Sequence, residues 1–497
     1  MVLSELLKKC GVVVTAQGGT GDPTVTDIVY DSRKVQPGAL YVAIPGMKVH
    51  GDAYIGAALE NGAVAVLSER EHPELSVPWV QANGLRALLG ELGRVLWTVG
   101  LDEVTTVGIT GTNGKTTVAH LFEGLFASVK NASGVWMFGT IDYHLGDNRR
   151  EAPNTTPEAL EIFRCFGTAS SPPEAVVMEV SSHALALDRI GGLSYDLAVF
   201  TNLTQDHLDF HGTMEEYYGA KRRLFVEYLK KGGRAAVNID DPFGRRLADE
   251  LGSGTCVTYG SAEDAAIRIA SSKCDWDGCT LRTVIDGNEM EFTSALRGYF
   301  NIYNMTALVA GAVALGYGPE IIRKAFDLVP SVNGRMERVT VDAPFAVVVD
   351  YAHTPDALHN VLKTAKEITR GRLLCVFGCG GDRDRTKRPL MGAAVAQWCD
   401  EGWVTSDNPR TEQPMKIIND IVDGIPLDFP HSVNADRRAA IAAALREARG
   451  GDCLVIAGKG HETYQEINGV RHHFDDKEVV VEELAALTKE RAFHVAS

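Results

Sequence analysis

The sequence has little that would direct it to a membrane or out of the cell. Residues 1–9, Met-Val-Leu-Ser-Glu-Leu-Leu-Lys-Lys, lack the basic-then-apolar order of a secretory signal. No run in the 497 residues approaches the ~18 consecutive apolar residues that a transmembrane helix requires. We therefore expect a cytoplasmic protein without membrane insertion.

An excess of basic residues is also missing. Lys and Arg together number 49 against 65 Asp and Glu, and the formal net charge is −16. A protein that binds nucleic acid over a broad surface needs a basic footprint, so we expect no nucleic-acid partner. An anionic small molecule held in a local basic pocket remains compatible with this charge.

Paired cysteine spacing and the dinucleotide fingerprint are absent as well. The nine cysteines are odd in number and follow no paired spacing, which favours reduced, buried thiols over disulfides. The glycines at 380–381 lack the G-x-G-x-x-G spacing, so we predict no dinucleotide site. Low-complexity segments and short-period repeats are missing too.

What is present predicts an α/β protein of several domains. A chain of 497 residues, 45% hydrophobic, should form two to four domains, each with its own core. We predict a small α/β domain over 1–100, a central domain over 101–333 and a third domain over 334–497. Apolar strands alternate with helical stretches in the second and third domains, which indicates parallel sheets with ligands at their carboxyl ends.

The strongest motif spans residues 107–117, Val-Gly-Ile-Thr-Gly-Thr-Asn-Gly-Lys-Thr-Thr. It predicts a strand, a phosphate-binding loop and the first turn of a helix whose positive end faces the phosphates. Lys115 would reach the terminal phosphates and a threonine hydroxyl would bind Mg²⁺. Ile109 replaces the glycine of the strict pattern, so this is a variant phosphate loop for ATP.

Acidic, amide and basic residues follow other predicted strands. Glu179 closes one strand at the same edge as the phosphate loop, where a Mg²⁺ ion would need a carboxylate. Residues 202–211 hold two histidines and two aspartates, and the helical stretch 217–225 carries three cations. From the pattern alone, those cations fit a solvated basic face as well as a site.

The ends of the strands in the third domain predict a pocket for a zwitterion. Arg383 and Arg410 can grip a carboxylate, and Asn408 and Glu462 can hold an ammonium group. ATP together with such a ligand suits amide ligation. A carboxylate takes the γ-phosphoryl group, and an amine then displaces phosphate from the acyl phosphate.

Four motifs of the chain resemble the Mur ligases of bacterial peptidoglycan synthesis: residues 110–117, 178–183 (Met-Glu-Val-Ser-Ser-His), 206–209 (Asp-His-Leu-Asp) and 334–337 (Gly-Arg-Met-Glu). Residues 154–157 (Asn-Thr-Thr-Pro) and 407–410 (Asp-Asn-Pro-Arg) are similar to the members that add the third residue of the stem peptide. The resemblance extends from about residue 31 to residue 462.

The resemblance implies an α/β fold of three domains that bind, in order, a UDP-sugar, ATP and an amino acid. The central domain would be P-loop ATPase-like and the C-terminal domain Rossmann-like. It implies an ATP- and Mg²⁺-dependent ligase that joins meso-diaminopimelate to UDP-N-acetylmuramoyl-L-alanyl-D-glutamate. The protein would be a monomer with these small molecules as its partners.

The same resemblance implies roles for individual residues. Those on ATP would be Gly111, Thr112, Asn113, Gly114, Lys115, Thr116, Thr117, Asn301, Arg335 and Asp350. Those on the metal would be Thr116, Glu179, His207 and Lys221, the last as a carbamate, and Lys115, Glu179, His207 and Lys221 would be catalytic.

The remaining implied residues bind the other two substrates. Those on the UDP-sugar peptide would be Tyr30, Ser32, Met47, Lys48, Val49, Asn154, Thr155, Thr156, Ser181, Leu187 and Arg189. Many relatives carry glutamine where this chain has Leu187, which puts one contact in doubt. Those on diaminopimelate would be Arg383, Asp407, Asn408, Pro409, Arg410, Gly458 and Glu462.

The choice of amino acid depends on Arg410. In the resembling enzymes an arginine at this position accompanies meso-diaminopimelate, whose far end carries a carboxylate that lysine lacks. Alternatives are the same ligase acting on L-lysine or another diamino acid, and a folylpolyglutamate synthetase-like ligase. That enzyme shares the Gly-Thr-Asn-Gly-Lys loop but usually continues it with Gly-Ser. A P-loop ATPase switch is a third alternative.

Overall fold

The computed structural model describes residues 1–46, 49–97, 100–101 and 103–496. The chain forms two compact units. Unit 1 comprises Met1–Thr110, Lys130–Ala198 and Gly219–Arg234, and unit 2 comprises Gly111–Val129, Val199–Tyr218 and Ala235–Ser497. The three domain boundaries expected from the sequence stay a prediction.

Helices and strands alternate through the described chain, and we number them in chain order. The α-helices are α1 Leu3–Lys9, α2 Ile55–Glu60, α3 Leu85–Leu96, α4 Lys115–Ala127, α5 Ala159–Thr168, α6 Ser182–Ala186, α7 Leu208–His211, α8 Met214–Val226, α9 Pro242–Leu251, α10 Phe300–Ala314, α11 Pro319–Leu328, α12 Pro355–Ile368, α13 Lys387–Trp398, α14 Pro414–Val422, α15 Arg437–Glu447 and α16 Asp476–Ala496. The strands are β1 Ala16–Gly18, β2 Asp27–Val29, β3 Ala39–Ala43, β4 Ala65–Ser68, β5 Trp79–Gln81, β6 Thr105–Thr110, β7 Val135–Phe138, β8 Asp142–Leu145, β9 Asn148–Glu151, β10 Ala175–Glu179, β11 Tyr195–Phe200, β12 Leu229–Asn238, β13 Cys256–Gly260, β14 Ile267–Asp275, β15 Gly278–Ile285, β16 Asn288–Ser294, β17 Glu337–Arg338, β18 Ala346–Asp350, β19 Leu373–Phe377, β20 Glu401–Thr405, β21 His431–Asn434, β22 Cys453–Ala457, β23 Tyr464–Ile467 and β24 Val470–His473.

Unit 1 contains two groups of paired strands. The first is a five-stranded sheet in the order β1-β5-β4-β3-β2, parallel except at β1. In the second, β6, β10 and β7 are parallel neighbours, and β8 and β9 continue it antiparallel. The strand that was expected to end at Glu179 is therefore confirmed as β10.

In unit 2, β12, β13 and β14 pair in parallel, and β15 and β16 extend this group antiparallel. Helix α10 packs on β13 and β15 and against α4, the helix that follows the phosphate loop. Because α10 touches strands on one side and a helix on the other, nearly its whole length is buried. Through its contact with α4, helix α10 supports the helix that begins at the phosphate loop.

The last part of unit 2 is a doubly wound sheet in the order β17-β18-β22-β19-β20-β21, parallel apart from β17. Successive residues of each strand face opposite layers. In β19, Cys375 packs in a core with α12, α13 and α14, whereas Leu374 packs in a core with α15 and α16. All five parallel strands end at one edge, where the predicted amino-acid pocket lies.

One expectation about cysteine is wrong. A disulfide joins Cys274 to Cys279, because the antiparallel register of β14 and β15 sets these two residues directly opposite each other. A spacing of five residues does not reveal that register. Cys375, Cys379 and Cys453, by contrast, are buried thiols as expected.

Membrane-spanning helices are not found in the part of the chain that the structure describes: none of its helices combines the required length and apolarity.

Candidate active site

The phosphate loop lies between β6 and α4, as the sequence predicts. Its backbone is held by the segment that follows β11: the amide of Thr112 donates to the Asn202 carbonyl at 2.8 Å, and the amide of Asn113 donates to Asn202 Oδ1 at 2.9 Å. Thr201 Oγ1 donates to the Asn113 carbonyl at 2.6 Å. The loop is therefore preformed by neighbouring polar groups.

Two glycines of this loop allow the close approach of those groups. A Cβ on Gly111 would lie 1.9 Å from Thr201 Oγ1, and one on Gly114 would lie 2.3 Å from Asn304 Oδ1. Gly114, at φ 89°, immediately precedes α4. Only glycine fits here without displacing its neighbours, and the turn aims the start of the helix at the site.

Cations lie beside this turn. Lys115 Nζ donates to the carbonyls of Gly111 and Thr112 at 2.9 and 2.8 Å, so its side chain curls over the loop. Arg335 donates to Thr116 Oγ1 at 3.0 Å, and its guanidinium lies 4.8 Å from the centre of the Tyr351 ring. Both cations are positioned to meet negative charge at the loop.

A cavity of about 870 Å³ opens beside the loop, a size within the usual range for a small-molecule site. Among the predicted ATP residues, its lining includes Asn113, Gly114, Thr116, Thr117, Arg335 and Asp350. Asn301 lies just behind the wall, where its Oδ1 accepts from Asn304 Nδ2 at 2.8 Å. The structure thus brings the predicted nucleotide residues of unit 2 together.

Asp350 is a structural anchor of this cavity. Its carboxylate accepts from the amides of Met336 at 2.6 Å and Ala352 at 2.7 Å, which ties the Arg335 turn to the end of β18. Burial raises the pKa of Asp350, although the nearby Arg335 charge and the two amides oppose this. Its buried carboxylate fixes where Arg335 points.

Sequence reasoning missed the far wall of the cavity. Residues that line it without having been predicted include Asn238, Asp240, Tyr299, Phe300, Tyr303 and Asn304. The pair Asn301 and Asn304, three residues apart at the start of α10, was a readable signal. The others come from separate elements, so no local pattern marks them.

Asp356, also missed, reaches the phosphate loop from α12. Its Oδ2 accepts from Asn113 Nδ2 at 2.7 Å and from Thr204 Oγ1 at 3.2 Å. This carboxylate therefore fixes the side chain of Asn113 in the loop.

Within unit 1, the predicted muramyl-peptide residues cluster around the end of β10. Thr140 donates to Glu179 through its amide at 2.8 Å and its hydroxyl at 3.0 Å. Thr156 Oγ1 donates to the Glu179 carbonyl at 2.7 Å and accepts from the Ser181 amide at 2.9 Å. Thr155 Oγ1 accepts from Thr140 Oγ1 at 3.2 Å. These contacts bring Thr155, Thr156, Glu179 and Ser181 together.

Arg189 belongs to a series of linked ion pairs in the same unit. Its Nε lies 3.6 Å from Glu158, which also pairs with Arg86 of α3. Arg86 in turn donates to the Pro45 carbonyl at 3.2 Å, next to the predicted UDP loop. Burial raises the pKa of Glu158 although both arginines lower it. Glu158 and Arg86 were missed by the sequence reasoning.

The other predicted UDP-sugar residues of unit 1 are less closely tied to this cluster. Ser32 is buried at 8% exposure, and its carbonyl accepts from Asn61 Nδ2 at 3.0 Å. Burial raises the pKa of Tyr30, with help from Glu161 and Glu158. Leu187 caps the end of α6, and Asn154 offers its carbonyl to Tyr143. Val49 is exposed, and Met47 and Lys48 lie outside the described residues.

The predicted metal ligands are divided between the units. Thr116 and His207 belong to unit 2, and Glu179 and Lys221 to unit 1. His207 has φ 54°, and its Nε2 lies 3.3 Å from Asp206 Oδ2; Lys221 is 1% exposed. No group of three or more His, Cys, Asp or Glu side chains suited to a metal occurs in the described chain. Mg²⁺ in nucleotide sites usually relies on one or two protein oxygens plus phosphates and water.

The predicted amino-acid pocket lies at the carboxyl edge of the doubly wound sheet. Asn408 Nδ2 donates to Glu462 Oε2 at 2.8 Å. Gly458 leaves room for Asp407, whose Oδ2 would lie 2.5 Å from a Cβ there. Burial and the Asp407 charge raise the pKa of Glu462, although Lys459 and Asn408 lower it.

Arg383 and Arg410 flank the glycine turn after β19. A Cβ on Gly380 would lie 2.9 Å from an Arg410 guanidinium nitrogen and 3.9 Å from Arg383 Cγ. Arg410 donates to the Gly381 carbonyl at 2.8 Å, and its own φ of 51° is held by backbone hydrogen bonds to Glu466 and Asn468. Pro409, which directly precedes Arg410, is buried. The Arg410 guanidinium and the Arg383 stem therefore lie beside the same glycine.

Three family models match successive stretches of the chain. Residues 24–94 match the Mur ligase family catalytic domain, 109–313 the Mur ligase middle domain and 334–460 the Mur ligase glutamate ligase domain. Together these matches cover well over half of the sequence. The chain belongs to the Mur ligase family.

Relatives within the Mur ligases are similar over nearly the full length. The chain is 44% identical over 467 residues to the UDP-N-acetylmuramoyl-L-alanyl-D-glutamate--2,6-diaminopimelate ligase of Solibacter usitatus, covering 93% of each. It is 41% identical over 494 residues to the enzyme of the same name from Syntrophomonas wolfei, covering 98% of this chain and 100% of that one. A solved structure of a ligase with this name is 35% identical, with a TM-score of 0.67, and covers 97% of this chain and 99% of that chain.

Proposed function

We propose that this chain is the Mur ligase that joins meso-diaminopimelate to UDP-N-acetylmuramoyl-L-alanyl-D-glutamate at the expense of ATP. The observation that carries the choice of amino acid is the grouping of Arg383 and Arg410 around Gly380, in the same sheet edge as Asn408 and Glu462. A carboxylate and an ammonium group on one stereocentre match this arrangement. Lysine would bring no carboxylate to the two arginines.

The nucleotide end of the reaction rests on the phosphate loop and its cavity. The start of α4 and Lys115 would hold the phosphates of ATP, and Arg335 would stabilise charge on the γ-phosphoryl group. Transfer of that group to the carboxylate of the dipeptide leaves ADP and an acyl phosphate. The amine of diaminopimelate then attacks the acyl carbon, an amide forms and phosphate leaves.

Magnesium would supply charge neutralisation between the phosphates. The hydroxyl of Thr116 suits it in unit 2, because the ion prefers oxygen ligands and arrives with the nucleotide. The parts of Glu179, His207 and a carbamylated Lys221 in metal binding stay predictions. A carbamate on Lys221 would convert its cation into an anion that can help to hold Mg²⁺.

The remaining partners follow from this reaction. Thr155, Thr156, Ser181 and Arg189 would hold the sugar-peptide, and Tyr30, Ser32 and the 47–49 loop its uridine end. We further propose that the protein acts in the cytoplasm as a monomer, with no nucleic-acid partner.

The decisive experiment follows phosphate release by the purified protein with Mg²⁺-ATP. A ligase should release phosphate at a steady rate only when both UDP-N-acetylmuramoyl-L-alanyl-D-glutamate and meso-diaminopimelate are present, and should form one amide per phosphate. An ATPase switch would release phosphate without either. Replacing diaminopimelate by L-lysine, or the muramyl dipeptide by a folate, tests the two sibling activities.

A further inference from the structure

Lys459 is a completely buried cation beside the amino-acid pocket. It follows β22 in the segment Gly458-Lys459-Gly460, and its exposed fraction is 0%. With no surface open to solvent, this side chain is not placed to touch a ligand. A buried ammonium group is unfavourable unless carboxylates or dipoles compensate it, so its partners define what it does.

Those partners are residues of the pocket itself. Lys459 Nζ donates to Asn408 Oδ1 at 3.1 Å and to Glu462 Oε2 at 3.3 Å, and it lies 3.8 Å from Asp407 Oδ1. The Tyr464 ring covers it at 5.5 Å. Every polar contact of this ammonium group therefore leads to a side chain next to the ligand.

The first consequence is the orientation of Asn408. Its Oδ1 accepts from Lys459 and from the Glu466 amide at 2.9 Å, which uses both lone pairs of that oxygen. The amide nitrogen must then point the other way, where it donates to Glu462. One hydrogen of Asn408 Nδ2 is left to donate to a ligand carboxylate.

The second consequence is the charge of the pocket. Asp407 and Glu462 carry two negative charges, and Lys459 cancels one of them. Glu462 Oε2 is occupied by Asn408 and Lys459, whereas its Oε1 makes no hydrogen bond within the described chain. One anionic oxygen thus remains for one ammonium group.

We propose that Lys459 is a positioning residue that sets this pocket at one net negative charge, so that it accepts a single ammonium group beside the arginines. The inference rests on the proposed function, since the ammonium group would be that of diaminopimelate at its far stereocentre. Lys459 acts through Asn408 and Glu462 and does not touch the ligand.

Removing the cation should disable the pocket without affecting the other substrates. In Lys459→Met the two carboxylates face each other unpaired, and Asn408 Oδ1 loses the ammonium donor that fixes its orientation. We expect the KM for diaminopimelate to rise at least about tenfold. The KM values for ATP and the muramyl dipeptide should stay within about twofold, because their sites share no contact with this ammonium group.

A double-mutant cycle separates charge from packing. Asp407→Asn leaves the pocket with no net charge and should also raise the KM for diaminopimelate. Combining it with Lys459→Met restores one negative charge, so the double variant should have a lower KM than either single variant. If Lys459→Met fails to fold, the comparison of the KM values of Asp407→Asn and the double variant still tests the proposal. Each of these two variants leaves fewer unpaired buried charges than Lys459→Met does.

The matched control is Lys366→Met on α12, a helix that packs against the same doubly wound sheet. Lys366 pairs with Asp400 at 2.6 Å, but both side chains are about two-fifths exposed, so its loss should change no KM. Steady-state kinetics with each substrate varied in turn gives all the values. Amide formation by the wild-type protein tests the proposed function separately, before any variant is compared.

Two results would overturn the role of Lys459. One is an unchanged KM for diaminopimelate in Lys459→Met. The other is a double variant whose KM exceeds that of both single variants, since damage that accumulates indicates packing and not charge.

Discussion

The phosphate loop and the amino-acid pocket are built in opposite ways. The phosphate loop is one continuous segment, which places Lys115 and the start of α4 side by side. The amino-acid pocket is assembled from side chains at the ends of three strands, β19, β20 and β22. The first site depends on the conformation of a few consecutive residues, and the second depends on a sheet that brings distant residues together.

The difference explains where buried charge is found. Around the phosphate loop most of the described partners are neutral polar groups, such as Thr201 and Asn202, whereas the predicted amino-acid pocket rests on buried ion pairs. Arg437 and Asp476, both 0% exposed, pair at 2.7 Å, and Arg437 also donates to the carbonyls of Ser406 and Ala457 that end β20 and β22. Ion pairs thus hold the predicted pocket, and mainly neutral hydrogen bonds hold the loop.

Loss of the loop lysine should have the largest effect. Lys115→Met removes a cation from the phosphates. Because the attraction of that cation would grow as negative charge moves to the leaving group in the transition state, kcat should fall about a thousandfold. Phosphate release and amide formation should fall together.

Lys366→Met serves as the control, since Lys366 pairs with Asp400 and does not line the cavity. A Lys115→Met variant within tenfold of the wild-type rate would remove the loop from the centre of catalysis.

The next variant concerns Lys221, a buried side chain that belongs to neither of the two compared sites. If it carries a carbamate, Lys221→Ala should lower kcat by about a hundredfold, in the range for loss of one catalytic electrostatic group. A short carboxylic acid added to the assay should restore part of the rate by replacing the carbamate. A normal rate in the alanine variant would exclude the carbamate from catalysis.

Arg410→Ala should break the amino-acid pocket selectively. Losing one charged hydrogen bond to the substrate carboxylate costs about 1–3 kcal/mol, which corresponds to a KM for diaminopimelate raised about five- to a hundredfold. The KM for ATP should not change.

Arg282→Ala is a suitable control for Arg410→Ala, because Arg282 pairs with Glu291 on exposed strands. Equal loss of affinity for both substrates in Arg410→Ala would contradict the carboxylate grip.

The smallest expected effect concerns the hydrogen bond between Asp356 of α12 and Asn113 of the phosphate loop. Asp356→Asn weakens the hydrogen bond from Asn113, a change of about 0.5–1.5 kcal/mol. The KM for ATP should then rise about two- to tenfold, with the KM for diaminopimelate unchanged. If ATP binding does not respond, the loop holds its shape through Asn202 and Thr201 alone.

Much of the site could be read from the chain because its elements are local. The strand, loop and helix over 105–127 follow from consecutive residues, and the apolar runs that end in Asp350, Glu179 and Asn202 follow from strand patterns. Prediction was wrong for Cys274 and Cys279, since pairing across a hairpin depends on register. It missed Lys459, Asp356 and Arg86 because nothing beside them in sequence indicates which distant group they meet.

The sequence by itself determined the family, the nucleotide loop and the kinds of residue that surround the amino acid, because short-range backbone preferences and apolar periodicity are encoded locally. The tertiary structure alone decided which charges are buried against which, how Asn408 is turned and that Arg383 and Arg410 meet at Gly380. These facts depend on the order of strands in a sheet, and that order arises only when residues far apart in the chain pack together.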